Sequence, residues 1–104
     1  MDTYRSIEAL GDPTRRRIFE LVAESPRAVG ELAQELPVSR PAVSQHLKVL
    51  KEAGLVLDRQ DGTRRVYRLN PGGVEELRSY FERFWNQALA DFKRVAEREG
   101  EVGR

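Results

Sequence analysis

The 104-residue chain suits one small domain with a core, and is short enough for a partner to complete part of that core. Its 39% hydrophobic and 34% charged residues exclude wholesale disorder, and the absence of cysteine excludes disulfides, thiol catalysis and thiolate metal sites. There is no signal-peptide-like apolar run and no stretch of membrane-spanning length, so a cytoplasmic protein without membrane contact is expected.

The net charge of +1 conceals a division along the chain. Residues 1–39 carry five Arg against seven acids. Residues 40–70 carry seven Lys/Arg (Arg40, Lys48, Lys51, Arg59, Arg64, Arg65, Arg68) against three acids, a net +4. Residues 71–104 return to −1. A basic middle between mildly acidic flanks is a patch that steers polyanions.

In chain order, residues 3–10 read as a short helix with Tyr4, Ile7 and Leu10 on one side and Gly11 closing it. Asp12-Pro13 starts a second helix, with Asp as N-cap and Pro in the first turn. That helix runs to about Glu24 and buries Ile18, Leu21 and Val22, while Phe19 serves either this core or a subunit contact. Arg15, Arg16 and Arg17 stand near its N-terminus, the unfavourable end for cations. They form either a solvated face or a contact to an anion.

Ser25-Pro26 breaks the chain before a third helix, Val29 to Leu36, with Leu32, Ala33 and Leu36 inward. Its N-cap, Ala28, has no side-chain acceptor, a loss of about 1 kcal/mol relative to Ser or Thr. Pro37-Val38 then turns into the next helix, capped by Ser39 and carrying Pro41 in its first turn. Val43, Leu47 and Leu50 make an apolar stripe; Pro41, Ser44, Gln45 and Lys48 fall on the opposite side, flanked by Arg40 and Lys51. Gly54 ends the helix as its C′ residue. Residues 29–53 thus read as a helix-turn-helix whose second helix is placed for recognition.

After Gly54 the period becomes that of strands. Leu55 to Gln60 and Thr63 to Leu69 read as a hairpin turning on Asp61-Gly62, with Leu57 opposite Val66, Asp58 opposite Arg65 and Arg59 opposite Arg64. Like charges facing each other at the tip call for an outside anion. A helix-turn-helix followed by a basic hairpin is a winged helix, with the wing at residues 55–69. Asn70-Pro71 opens a last helix to about Glu99, leaving Glu101 to Arg104 as a frayed tail. It would be some 40 Å long, too long for so small a domain to cover. Val74, Leu77, Phe81, Phe84, Ala88, Phe92 and Val95 recur at helical spacing, widened by Tyr80, Trp85 and Leu89. Such a stripe implies a second subunit; a bound apolar ligand around Phe84 and Trp85 is the rarer use.

The expected fold is therefore mainly α with a small β-hairpin (α+β): one winged helix-turn-helix domain with a long C-terminal dimerisation helix. The motifs Leu10-Gly11-Asp12-Pro13-Thr14-Arg15, Val29-Gly30-Glu31-Leu32-Ala33, Ser39 to Leu50 and Ala53-Gly54-Leu55-Val56 resemble those of the ArsR/SmtB-type bacterial winged-helix repressors. The Phe/Trp-bearing last helix is similar to that of their non-metal autorepressor subgroup. The resemblance implies a homodimer, joined through its first and last helices, that represses transcription from a pseudo-palindromic operator in double-stranded DNA. It places DNA contacts at Ser39, Arg40, Pro41, Ser44, Gln45 and His46. The basic stretch adds Lys48, Arg59, Arg64 and Arg65. Candidate dimer residues are Tyr4, Ile7, Leu77, Phe81, Phe84, Trp85, Ala88, Leu89 and Phe92.

The family's metal sensors carry Cys-x-Cys on the helix before the recognition helix, or Asp/His ligands on the last one. Here the first segment reads Glu31-Leu32-Ala33, and the last helix has Asp91 but no histidine. No metal, cofactor or catalytic site is expected, a carboxylate-only cation site being the version left open. The sequence identifies no small-molecule effector. Pro37 stands where the family often has Gly, so that turn needs a path without positive φ. The rival reading is a winged-helix protein-interaction module that uses the C-terminal aromatic stripe.

Overall fold

The structure, a computed structural model, describes residues 2–102. The elements in order are α1 (Thr3–Ala9), α2 (Pro13–Glu24), β1 (Arg27–Ala28), α3 (Val29–Glu35), α4 (Arg40–Glu52), β2 (Val56–Asp61), β3 (Arg64–Leu69) and α5 (Pro71–Val102). Three of the first four helices start on side-chain caps. The amides of Tyr4 and Arg5 donate to Asp2, the Arg15 amide donates to Asp12 Oδ2 at 2.8 Å, and the Ala42 amide donates to Ser39 Oγ at 3.2 Å. As expected, Ala28 offers α3 no such bond.

The arginines after Asp12 have local targets. Arg15 Nε donates to the Ala9 carbonyl and Arg16 Nη1 to the Leu10 carbonyl, so two cations of α2 cap the C-terminal end of α1. Arg17 pairs with Glu20.

The turn between α3 and α4 passes through Leu36 in extended conformation, and no non-glycine residue described has positive φ. Pro37 is thereby accommodated. The end of α4 is a Schellman motif: Gly54 sits at φ 80°, its amide donates to the Lys51 carbonyl, and the Leu55 amide donates to the Leu50 carbonyl.

The hairpin loop lies one residue later than expected, which moves every cross-strand partner by two. Asp61 pairs with Arg64, Gln60 with Arg65, Arg59 with Val66 and Asp58 with Tyr67, so the two-residue loop is Gly62-Thr63 rather than Asp61-Gly62. Gly62, at φ 63°, takes the first loop position, where positive φ is required, and this fixes the register. Arg59 and Arg64 therefore do not face each other, and the expected like-charge pair is absent. A third strand also escaped expectation. β1 pairs antiparallel with β3 through Arg27↔Tyr67 and Ala28↔Val66, giving the order β1-β3-β2. Two residues are too few to show alternation.

The core joins Ile18, Leu21 and Val22 of α2, Leu32 of α3, Val43, Leu47 and Leu50 of α4, and Leu55 and Val56 leading into the wing. Phe19, Ala33 and Leu36 pack against it in part. Each fully buried aliphatic side chain contributes about 1.5–3 kcal/mol, so the inner face of α4 is held firmly while its outer face stays free. On α1 the buried residues are Ser6 and Ala9; Ile7 and Leu10 are half-buried and Tyr4 is exposed. Small residues let α1 sit close to the end of α4, where Ser6 Oγ donates to the Ala53 carbonyl at 3.0 Å.

Asn70 fixes the departure of α5. Its Nδ2 donates to the Gly54 carbonyl, its amide to the Leu55 carbonyl, and its Oδ1 accepts from the Gly72 amide. Leu77 packs on the core, but from Phe81 to Gly100 every residue except Asp91 is exposed. The helix continues through Gly100 to Val102, beyond the end expected at Glu99. Of the tail expected to fray, residues 103–104 lie outside the described residues. The radius of gyration is 19.1 Å, against about 13 Å for a compact chain of this size; the excess is the projecting half of α5. No described helix is long and apolar enough to cross a membrane.

Candidate nucleic-acid interface

Helix α4 presents one continuous polar face because its apolar stripe is locked inward. Ser39, Arg40, Pro41, Ser44, Gln45 and Lys48 are all exposed. His46 is only half-buried and lies beside Asp12, the α2 cap. The Asp12 carboxyl is held below its ordinary value chiefly by the Arg15 amide, with burial opposing and the nearby His46 and Arg15 charges assisting. The structure thus leaves His46 half-buried near Asp12 and groups the other six α4 candidates outward.

The wing stands beside this face. Arg59, Arg64 and Arg65 are exposed, and Lys48 and Arg59 have no hydrogen-bond or ion-pair partner among the described residues. Arg64 instead pairs through Nη2 with Glu31 Oε1 on α3. Arg65 Nη1 lies 2.9 Å from Asp58 Oδ2, and Lys51 Nζ lies 2.8 Å from Asp58 Oδ1. Asp58, with only 8% of its side chain exposed, thus ties the last turn of α4 to both wing strands. Its carboxyl is held below the usual carboxylate value by the Lys51 hydrogen bond first, against burial, with Arg65 assisting.

Sequence reasoning placed Asp58 opposite Arg65 but missed Lys51 as its second partner, which joins the wing to α4. It also overlooked Glu31, whose partner is 33 positions away along the chain. Arg40, Arg64 and Arg65 further share a cleft of about 230 Å³ between α3, the start of α4 and the wing tip.

The candidate dimer residues occupy a second surface. Tyr80 bridges α1 and α5, with ring centroids 6.0 Å from Tyr4 and 5.0 Å from Phe84, both edge-on. Phe81, Phe84, Trp85, Leu89 and Phe92 are about half or more exposed, and Ala88 is exposed with them. Ile7 and Leu77 are half-buried at the root of this face. Among the described residues no three His, Asp or Glu side chains are grouped to hold a metal ion.

Residues 12–57 match the family described as "Bacterial regulatory protein, arsR family". Over 97% of its length the chain is 57% identical to "HTH-type transcriptional regulator Rv2034" of Mycobacterium tuberculosis, covering 98% of that protein. The chain belongs to the ArsR family. This ArsR-family chain is a transcriptional regulator with a winged helix-turn-helix, not an enzyme. It is 31% identical to "Transcriptional repressor SdpR" of Bacillus subtilis over 81% of its own length and 93% of that protein's. Among solved structures it resembles the "homodimeric winged helix-turn-helix DNA-binding domain (fragment 1-100) Mb0332 from Mycobacterium bovis". The TM-score is 0.64 at 33% identity, covering 85% of this chain and 77% of that one.

Proposed function

We propose that this regulator is a homodimeric, sequence-specific repressor of a pseudo-palindromic operator, operating without a bound metal. One observation carries the reading: the exposed row Arg40, Ser44, Gln45 and Lys48 on α4, backed by a fully buried stripe and flanked by the basic wing. In the major groove, Gln45 suits bidentate contact with adenine and Ser44 bonds either partner, with Arg40, a residue type that suits guanine, at the edge of this face beside the wing. Lys48, Arg59, Arg64 and Arg65 hold phosphates, which set register rather than sequence.

The half-bare α5 gives the dimer its physical basis. A helix of 32 residues extends about 48 Å, and an apolar stripe on its projecting half is stable in water when a second copy covers it. The homodimeric Mb0332 domain and the repressor SdpR support this assembly and this sign of regulation. Two recognition helices so joined meet successive major grooves about 34 Å apart.

A gel shift with the DNA upstream of the chain's own gene tests the proposal. Binding that survives excess shuffled competitor and weakens with salt is expected. Failure to bind any duplex would favour the protein-interaction reading, in which the α5 aromatics engage a different protein.

A further inference from the structure

Arg40 is exposed and of a type that suits guanine, yet its guanidinium lies against another element instead of standing clear of the protein. A Cβ placed on Gly30 would lie 3.6 Å from Arg40 Nη1, so the guanidinium rests against the first turn of α3. There it shares the cleft of about 230 Å³ with Arg64 and Arg65 from the wing tip. Arg40 of α4 and Arg64 and Arg65 of β3 line this one recess, and Arg64 Nη2 already holds one anion, the Glu31 carboxylate. Arg65 has a second carboxylate, Asp58, as its partner. Arg40 has no hydrogen-bond or ion-pair partner among the described residues.

We propose that this cleft takes a single backbone phosphate of DNA, held by Arg40 and Arg64, and that Glu31 is its gate. This deepens the DNA-binding reading and rests on it. In the free protein Glu31 satisfies Arg64 and steadies the wing tip against α3. A phosphodiester entering the cleft carries the same charge as the carboxylate and prefers the same planar donors. It must therefore displace Glu31 from Arg64, and part of the binding energy is used in that exchange. Glu31 weakens binding to every duplex equally, because the group it competes with carries no sequence. Operator and random DNA remain separated by the exposed α4 face alone.

The test is fluorescence anisotropy with two labelled duplexes, the chain's own upstream DNA and a shuffled copy, over a range of salt. Glu31→Gln, which keeps shape and loses charge, is expected to bind both about 3–10-fold tighter. The slope of log K against log salt should steepen by about one. In an Arg64→Ala background the same substitution should bring no gain, because the carboxylate then has nothing to occupy. Arg40→Ala should weaken both duplexes alike. Glu31→Ala should move affinity in the same direction as Glu31→Gln, which guards against an effect peculiar to glutamine, and thermal melts verify that each variant folds.

A gain that persists undiminished without Arg64 would reduce Glu31 to a general charge effect and overturn the gate. A loss confined to the upstream duplex in Arg40→Ala would assign Arg40 to base reading and overturn the pocket. Wild-type protein that binds the duplexes while Glu31→Gln shows no change removes the gate and leaves the DNA-binding reading intact. Wild-type protein that binds neither duplex removes both.

Discussion

Asp58 is the residue on which wing and recognition helix meet, and it converts a local charge pair into control of the interface. With Lys51 on one oxygen and Arg65 on the other, it sets the wing's angle to α4. Because its folded pKa is depressed, the pair's contribution is complete above the ordinary carboxylate pKa of about 4. It is lost as pH falls through the lower folded value. Asp58→Asn should cost about 1–3 kcal/mol at neutral pH and flatten the acid limb of a melting-temperature profile below about pH 4. An acid limb identical to that of the wild type would show that the joint does not matter to stability. On the DNA side, Gln45→Ala should relax preference at particular bases, whereas Arg64→Ala should weaken all duplexes and flatten salt dependence. Competition binding against single-base variants of the target separates the two, and equal loss of specificity from both would contradict the division of roles.

At the scale of elements, the helices were legible because each carries its own punctuation. Asp12-Pro13 and Ser39 mark starts, Gly54 marks an end, and the stripe Val43, Leu47, Leu50 names the inner face. The Schellman motif yields a direct prediction. At φ 80° a side chain is strained, so Gly54→Ala should lose about 1–2 kcal/mol, read as a lower melting temperature with unchanged helical circular dichroism. The wing was legible in kind but not in register. Asp61-Gly62 and Gly62-Thr63 both offer a two-residue loop, and only the need for positive φ at the first position selects the second. That single shift moved Arg59 from facing Arg64 to facing Val66 and removed the charge clash from which an anion had been argued. The basic wing remains, but its case now rests on Arg59, which, like Lys48 on the neighbouring α4, has no partner among the described residues. β1 and the Glu31–Arg64 pair were illegible for another reason: both join segments far apart in sequence, where local periodicity carries no signal.

For the whole molecule, the 70 Å long axis divides the labour. One end holds the core, α4 and the wing; the other is the bare half of α5 with Phe84, Trp85, Leu89 and Phe92. Its stripe was readable from helical spacing, and the expected helix length of about 40 Å already indicated that this domain alone does not cover it. Asn70 makes the division mechanical, since it ties the start of α5 to the end of the recognition helix through Gly54 and Leu55. A dimer joined along α5 therefore sets the spacing of its two α4 helices. The most direct measurement is a stoichiometric titration of labelled duplexes carrying the whole upstream target or only one half of it, with the mass of the complex read by light scattering. The account predicts two chains on the whole target and an affinity for the half target at least about tenfold weaker. One chain per duplex, with whole and half targets bound equally, would contradict it.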